Sequence, residues 1–305
     1  MSSMLSTTTL GVFLAGATVV ALFFKTVWFG CGLAWHLTTL YFVLPLVHLV
    51  APPGAKYCWS ERICSLMFRV VFGSCVWLDL RHGPSSADWD RVCPESDLDN
   101  RGAIFMVNHT SFADGFLFSA LTPQRVISRA RTLMKSSFFG VPIMGSVFRK
   151  LGHMPVYFAK EDDNTSFSVD REKMAKVMEE MRSHLANGGV LAFCPEGGIN
   201  RKDQSTLMDF RRGTFQIVHE LKIPVYGLTM YGNHHFWPTN KPMGGCPATV
   251  VSDVFAVEEW NAQLDSPKAD VAALCGMCQE RMGKSLLDCV ARHAEVTGSS
   301  EKKVK

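Results

Sequence analysis

The first fifty residues are almost continuously apolar, whereas the rest of the chain alternates short apolar and polar stretches. One run of about twenty residues extends from Leu5 to Phe24, and a second extends from Thr26 to Val50. Each run has about the 20 residues that a helix needs to cross a bilayer. Since only Lys25 separates them, we predict two helices, either a tight membrane-spanning hairpin or a pair lying partly within one leaflet. A buried core hairpin of a soluble protein is the alternative.

The apolar segment ends at Ala51-Pro52-Pro53-Gly54, where Pro and Gly stop a helix. We therefore assign residues 1–54 to a membrane hairpin or two-helix membrane anchor. The next stretch, Glu61–Leu80, has apolar residues at helical spacing with arginines around them. This pattern indicates either a helix lying in the membrane interface or an ordinary core-facing helix. Residues 55–95 are accordingly assigned to an interfacial helix and linker.

Short apolar runs alternate with helical patterns in the remainder of the chain. Four runs bounded by Gly, Asn or Pro have the character of buried strands, namely Ala103–Val107, Val190–Cys194, Ile223–Met230 and Ala248–Phe255. Helical periodicity is seen over Asp170–Ala186 and after Ser266-Pro267. The alternation predicts an α/β body over residues 96–260, followed by a C-terminal helix and tail over residues 261–305.

Composition and charge add further constraints to this picture. The chain is 47% hydrophobic and 19% charged, which argues against disorder and coiled coil. A net charge of +3 is too small to predict a nucleic-acid partner. The mean hydropathy of +0.09 averages two unlike parts, because Lys25 is the only charged residue among the first fifty.

The ten cysteines have no zinc-type or disulfide-framework spacing, so we predict free thiols on the reducing, cytosolic side of a membrane.

A candidate catalytic pair follows the predicted strand at Ala103–Val107, in the sequence Asn108-His109-Thr-Ser-Phe-Ala-Asp114. On one continuous helix the two side chains would be about 140° apart in azimuth. A strand-to-helix turn instead allows Asp114 to fold back on the His109 imidazole, which gives a base and the carboxylate that orients it. The alternative is a turn in which the histidine simply caps a helix.

A basic stretch follows this pair. Residues 115–160 contain no Asp or Glu, which predicts a surface that meets phosphate groups. Apolar residues interleaved at positions 138–144 favour a location at an interface. The seven basic residues are Arg125, Arg129, Arg131, Lys135, Arg149, Lys150 and Lys160.

A third feature is the turn Pro195-Glu196-Gly197-Gly198-Ile199-Asn200-Arg201 after a predicted strand. The paired glycines allow a tight bend or close approach of the backbone to a ligand, and an arginine such as Arg201 can hold a phosphate through two hydrogen bonds. Phe210-Arg211-Arg212-Gly213 is a smaller basic turn.

The sequence lacks the GxSxG, HExxH, GxGxxG and GxxxxGK[ST] patterns of other enzyme classes. His234-His235 have no supporting carboxylate, so we predict no metal site.

Taken in order, these residues resemble the sequence blocks of the glycerolipid acyltransferases, the family that includes 1-acylglycerol-3-phosphate acyltransferase. Asn108-His109-x4-Asp114 is similar to the family's NHxxxxD box. Lys135–Gly145 resembles its second block and Phe193–Gly197 its third, which reads FPEG. Phe210–Gly213 resembles its FKxG turn, and Ile223-Pro224-Val225 resembles its fourth block. The resemblance covers roughly residues 103–230.

The resemblance implies that residues 96–260 are an acyltransferase catalytic domain with an αβ body. It implies that His109, oriented by Asp114, takes the proton from a lysophospholipid hydroxyl as that oxygen attacks the thioester of acyl-CoA. Acyl-CoA is then a co-substrate, no cofactor is required, and an integral or monotopic protein of the endoplasmic reticulum membrane is expected, with its catalytic face cytosolic. The substrate-binding residues implied are Asn108, Lys135, Lys160, Glu196, Gly197, Arg201, Arg211 and Arg212.

The sequence departs from the family pattern at two positions that hold the acceptor phosphate in the family. Phe158 stands where the second block has Arg, and Gly198-Ile199 stand where the third block has Thr-Arg. Arg201, Lys160 or the Arg211-Arg212 pair would then replace them, or the acceptor has another headgroup. The expected acceptor is 1-acyl-sn-glycerol-3-phosphate. The alternatives are another lysophospholipid, lysocardiolipin or glycerol-3-phosphate, or a non-catalytic lipid-binding membrane protein.

Overall fold

A computed structural model describes the backbone of residues 7–162 and 166–298, and the side chains of residues 23–98, 101–159 and 169–298. The helices are α1 (Thr7–Val50), α2 (Lys56–Gly73), α3 (Ser86–Val92), α4 (Glu95–Asn100), α5 (Asp114–Leu121), α6 (Gln124–Ile127), α7 (Met144–Leu151), α8 (Arg171–Ala186), α9 (Gly213–Leu221), α10 (Asn233–Phe236), α11 (Glu258–Asn261) and α12 (Val271–Thr297). The strands are β1 (Leu78–His82), β2 (Ala103–Val107), β3 (Ala130–Lys135), β4 (Met154–Val156), β5 (Phe158–Asp162), β6 (Ser166–Val169), β7 (Val190–Phe193), β8 (Val225–Tyr231) and β9 (Ala248–Ala256).

The main sheet has seven strands in the order β1-β9-β8-β2-β7-β3-β4. Strands β8, β2, β7, β3 and β4 are parallel to one another, whereas β9 is antiparallel to β8 and carries β1 parallel to itself at the edge. Strands β5 and β6 form a separate antiparallel pair. The predicted α/β body is therefore confirmed, and the predicted strands correspond to β2, β7, β8 and β9.

Strand β2 lies at the centre of the sheet, and all five of its residues are buried. Phe105 and Val107 belong to the core on one face, whereas Ile104 and Met106 belong to the core on the other. Burial on both faces explains why this strand is a continuous apolar run without alternation. Helices α1, α2, α3, α5 and α7 cover the first face, and α8, α9, α11 and α12 cover the second.

The N-terminal segment is one helix, and the predicted two-helix hairpin is wrong. Helix α1 passes through Lys25 without a break, because Lys is a good helix former and no Pro or Gly cluster separates the two apolar runs. The Lys25 amine lies 5.9 Å from the centre of the Trp77 ring in the body. Within α1, Phe23–Val50 is long and apolar enough to cross a membrane by length and composition.

One side of α1 is docked along the body. Its buried residues recur every three or four positions, as one face of a helix requires, and they are Phe29, Leu33, His36, Leu40, Leu44 and Val47. The opposite side is also apolar but exposed, with Trp35, Phe42, Leu46 and Leu49 facing outward. The helix therefore has an apolar face toward the protein and another toward its surroundings.

Helix α2 is shorter than predicted. It ends at Gly73, and the chain from Leu78 onward is strand β1, whose residues pair with β9. The face that carries Glu61, Cys64 and Phe68 is buried in the body, whereas Leu66 and Val70 are exposed. The pattern over Glu61–Leu80 thus combined a helix and a strand, because apolar residues continue across the boundary.

Candidate active site

The candidate site is built from three loops at the carboxyl edge of the sheet. These are residues 108–113 after β2, residues 194–200 after β7, and residues 232–237 after β8. The three strands are neighbours in the sheet and run in the same direction, so their loops meet at one edge. Ligand sites in α/β proteins lie at this edge, outside the carboxyl ends of the strands.

His109 and Asp114 are in direct contact. Asp114 is the first residue of α5, and the turn after β2 returns its carboxylate to the imidazole, with His109 Nδ1 and Asp114 Oδ2 2.9 Å apart. Because a carboxylate only accepts, Nδ1 carries the proton and Nε2 holds the free electron pair. The Asp114 side chain is fully buried, whereas 27% of the His109 side chain is exposed. The arrangement is a base held by a buried orienting group.

The Asp114 carboxylate has three further donors. Its Oδ2 also accepts the backbone N–H groups of Thr110 at 2.8 Å and Ser111 at 2.9 Å. Its Oδ1 accepts a short hydrogen bond from the side-chain amide of Asn233, which also donates to Thr110 Oγ1 at 2.9 Å. A buried charge is tolerated when donors surround it in this way. The direction of the carboxylate is therefore fixed by two separate loops.

Glu196 fixes the backbone of His109. Its Oε1 accepts the His109 N–H at 2.8 Å and its Oε2 accepts the Met208 N–H at 2.9 Å. Burial raises the pKa of Glu196, while the two N–H groups oppose this shift. In addition, the Asn200 N–H donates to the His109 carbonyl at 2.7 Å. Both carboxylate oxygens of Glu196 are engaged by the protein, and its predicted contact with a substrate stays a prediction.

Asn108 connects β2 to β8. Its amide nitrogen donates to the Met230 carbonyl at 2.9 Å, and its amide oxygen accepts the Met230 N–H at 2.8 Å. The side chain is completely buried. The Asn108 side chain thus links the ends of two strands directly before His109. Its amide nitrogen and its amide oxygen both form hydrogen bonds within the protein.

Gly197 and Arg211 lie against each other. Gly197 has a φ of +76°, a conformation that L side chains rarely adopt. A Cβ atom at this position would lie 3.2 Å from Arg211 Cγ, and the Arg211 N–H donates to the Pro195 carbonyl at 2.8 Å. The two predicted blocks are therefore adjacent in space, with an exposed arginine next to the turn that carries Glu196.

The other predicted phosphate ligands are spread more widely. Arg201 and Arg212 are both exposed, in the segment that joins β7 to α9. Lys135 ends β3, at the same edge of the sheet but separated from β2 by β7. The Lys160 side chain lies outside the described residues.

Three arginines of the basic stretch make contacts within the protein, and a phosphate contact of the other basic residues stays a prediction. Arg125 pairs with Asp90 at 2.8 Å, and Arg129 donates to the Leu98 carbonyl at 2.7 Å. The Arg131 guanidinium lies 4.6 Å from the centre of the Tyr57 ring, and burial lowers its pKa. The sequence shows the sign of these charges but not the direction in which each side chain points.

Two residues of the site were not predicted from the sequence, Asn233 and Asn200. Asn233 follows the buried strand at Ile223–Met230 and lies next to His234 and His235 in the sequence. A polar residue directly after a buried strand is the signal that would have identified it, because the ends of parallel strands meet. Among the residues that the structure describes, no group of three or more His, Cys, Asp or Glu side chains is arranged to hold a metal ion.

Residues 91–231 match the model of the Acyltransferase family. The chain is 26% identical to a 1-acyl-sn-glycerol-3-phosphate acyltransferase of Chlamydomonas reinhardtii over 188 residues, which are 61% of this chain and 49% of the relative. It is 24% identical to a 1-acyl-sn-glycerol-3-phosphate acyltransferase of Cocos nucifera over 145 residues, which are 48% of this chain and 42% of the relative. The chain thus spans about half the length of the curated relatives it matches.

A solved structure has a similar fold. The 1-acyl-sn-glycerophosphate (LPA) acyltransferase PlsC of Thermotoga maritima superposes with a TM-score of 0.60, covering 93% of this chain and 99% of that protein. The sequence identity is 13%, so this likeness concerns the fold alone.

Proposed function

We propose that the chain is a member of the PlsC-like glycerolipid acyltransferase family and that it acylates a lysoglycerophospholipid with acyl-CoA as the donor. The acceptor we propose is 1-acyl-sn-glycerol-3-phosphate, with phosphatidic acid as the product. The observation that carries this proposal is the contact between His109 Nδ1 and the buried Asp114 carboxylate, which leaves Nε2 of this partly exposed side chain as an oriented base.

In the proposed reaction, His109 Nε2 removes the proton from the acceptor hydroxyl while that oxygen attacks the thioester carbonyl carbon. The resulting tetrahedral intermediate breaks its carbon–sulfur bond, and the thiolate of CoA takes the proton back from the imidazolium. Asp114 stabilises the imidazolium and holds the ring in one tautomer. No acyl-enzyme is required, because the thioester is already activated.

The backbone N–H groups near His109 differ in their availability to an oxyanion. Those of Thr110 and Ser111 donate to Asp114, that of His109 donates to Glu196, and that of Gly197 donates to the Cys194 carbonyl at 3.1 Å. Backbone donors aimed at a developing oxyanion supply a large share of the rate in acyl transfer. We propose that the Gly198 N–H fills this role, since it follows the glycine turn directly.

The acceptor phosphate would bind to arginine beside the glycine turn. Arg211 packs over Gly197, whose neighbour Glu196 is bonded to the His109 backbone. An arginine at this position can take over from the arginine that Ile199 replaces. Arg201, Arg212 and Lys135 are the further proposed phosphate contacts. Because Ile199 stands where the family has arginine, an acceptor with another headgroup is the second candidate.

A location at a membrane is supported by α1 and by the loop before α7. The outward side of α1 is apolar, and Phe138, Val141 and Ile143 are exposed on the loop that follows β3. An apolar surface of this kind favours contact with lipid. We propose that the protein works at the endoplasmic reticulum membrane with its site on the cytosolic side, where acyl-CoA and the lysolipid are both available.

The proposal is tested with the full chain and its His109→Ala and Asp114→Ala variants. Release of free CoA and formation of the labelled acylated product are measured with 1-acyl-sn-glycerol-3-phosphate, other lysophospholipids, lysocardiolipin and glycerol-3-phosphate. Each substitution is expected to lower kcat by about 10² or more. His82→Ala serves as a control, because His82 also contacts an aspartate, Asp79, but lies on β1. Normal rates in folded variants, or no CoA release with any acceptor, would overturn the proposal.

A further inference from the structure

The side chain of Asn233 contacts the candidate pair from outside the family's sequence blocks. It begins α10, is completely buried, and donates through Nδ2 to both Asp114 Oδ1 and Thr110 Oγ1. The family match ends at residue 231. We propose that Asn233 is a positioning residue that fixes the direction and charge of Asp114, and through it the basicity of His109. This inference rests on the proposed function of the His109–Asp114 pair.

The orientation of the Asn233 amide follows from its neighbours. A carboxylate can only accept hydrogen bonds, so the amide nitrogen and not the oxygen must face Asp114. The amide oxygen, Oδ1, is buried and has no hydrogen-bond partner among the described residues. Leaving a buried acceptor unpaired is unfavourable. The amide is therefore placed for its donor, at the expense of its acceptor.

The loop that carries Asn233 is held in place around this contact. Gly232 has a φ of +91°, and a Cβ atom there would lie 2.1 Å from the Thr249 carbonyl oxygen. At the other end of α10, the Trp237 carbonyl accepts the Ser111 hydroxyl at 2.9 Å. The loop after β8 thus contacts the turn between His109 and Asp114 at two points. Of these two contacts, the one made by Asn233 includes the Asp114 carboxylate.

The donor from Asn233 offsets part of the negative charge of Asp114. Without it, the carboxylate attracts the imidazolium form of His109 more strongly, so a higher pH is needed to free the base. An added carboxylate at position 233 would raise that pH further. The other titratable groups near the pair are present in the wild type and in both variants, and they are Cys194, Glu196, Arg211, His234 and His235.

The test uses diethyl pyrocarbonate, which modifies neutral imidazole, on full-length wild-type, Asn233→Ala and Asn233→Asp proteins. Labelling of His109 is quantified by peptide mass spectrometry from about pH 5 to about pH 9. His82 is an internal reference, because 30% of its side chain is exposed against 27% for His109. The pH of half-maximal labelling of His109 is expected to rise by roughly half a unit or more in Asn233→Ala, and further in Asn233→Asp.

Asn261→Ala is the control for loss of a hydrogen-bonded side-chain amide elsewhere in the protein, at a half-buried position. Asn261 bonds the backbone of Val225 at the opposite end of β8, at 2.8 and 3.1 Å. The Asn261→Ala variant is expected to be less stable than the wild type but to keep the wild-type pH of half-maximal labelling of His109. Coinciding His109 midpoints in the wild type and both Asn233 variants would overturn the inference.

Activity supplies a separate readout. Where acyl transfer is observed, kcat of Asn233→Ala is expected to fall by about tenfold or more, and the acid limb of its pH–rate profile to move to higher pH. If the wild type releases no CoA, the proposed function fails, whereas the labelling midpoints still decide whether Asn233 acts on His109.

Discussion

Phe29 of α1 lies edge-on against Phe236 of α10, with ring centroids 4.9 Å apart and ring planes at 79°. Phe29 also meets Trp237 edge-on at 5.6 Å. These two partners follow Asn233 by three and four residues, and Asn233 contacts Asp114. An apolar contact from the N-terminal helix therefore reaches, within one helical turn, the amide that orients the candidate base. Docking of α1 and the geometry of the site are physically connected.

Phe29→Ala is expected to weaken that connection. Removal of a fully buried Phe costs about 3–5 kcal/mol in the free energy of unfolding, and it frees the segment that carries Asn233, so kcat should fall as well. Thermal unfolding and CoA release in the same detergent check both effects. Phe42→Ala is the control, because Phe42 lies on the same helix with 65% exposure. Equal kcat values in the two folded variants would contradict the connection.

Glu196→Gln is expected to lower both stability and activity. The substitution keeps the shape of the side chain but turns one acceptor into a donor, so one of the two N–H groups, of His109 or Met208, loses its partner. A buried donor without a partner costs about 1–3 kcal/mol. Denaturant unfolding measures the loss. Glu220→Gln removes an exposed pairing with Arg182 and should be nearly neutral; an equal loss in both variants would refute the role of Glu196.

Stability is expected to fall in acid because of His153. Burial lowers the pKa of His153 to about 3 from its ordinary value of 6.5, so the unfolded chain binds this proton at a higher pH than the folded protein does. The contribution of His153 is complete above pH 6.5 and is lost progressively as the pH falls toward 3. Two pH units below 6.5, the loss is on the order of 3 kcal/mol.

The variant His153→Gln checks this, since it keeps an acceptor for the Thr132 N–H but does not titrate. Its unfolding temperature should depend less on pH than that of the wild type between pH 6.5 and about pH 4.5. A wild-type slope in His153→Gln would show that other groups cause the acid sensitivity.

Arg211→Ala is expected to raise KM for a phosphate-bearing acceptor by about tenfold or more, with a smaller change in kcat, because a charge-assisted hydrogen bond contributes about 1.5–3 kcal/mol. The ratio of kcat/KM for 1-acyl-sn-glycerol-3-phosphate to that for an uncharged monoacylglycerol measures the effect. Arg81→Ala is a control on a distant exposed arginine, which pairs with Asp79 on β1. An unchanged ratio in Arg211→Ala would move the phosphate site to other basic residues.

Features that depend on short stretches of chain could be predicted from the sequence. The central strands β2, β7 and β8 are apolar runs bounded by turn residues, because burial on both faces leaves no polar positions. The His109–Asp114 contact was also predictable, since the two residues are joined by a single turn after β2.

Features that depend on the order of strands or on the direction of side chains could not be predicted. Asn233 and Asp114 are 119 residues apart and meet only because β8 lies next to β2. Similarly, the sequence shows the charges of Arg125 and Arg129 but not their partners. Arg125 pairs with Asp90, and Arg129 donates a hydrogen bond to the Leu98 carbonyl. The unbroken path of α1 was missed because a single lysine between two apolar runs is compatible with either a turn or a helix.

The buried side of α1 has a practical consequence for isolating the α/β body. Deleting residues 1–54 would not release a soluble domain, because the body surface that receives Phe29, Leu33, Leu40 and Leu44 would be left uncovered. A large exposed apolar patch of this kind promotes aggregation. Solubility is better sought by replacing the outward side chains Trp35, Phe42, Leu46 and Leu49 with polar residues, which would retain the helix as a permanent cover for the fold.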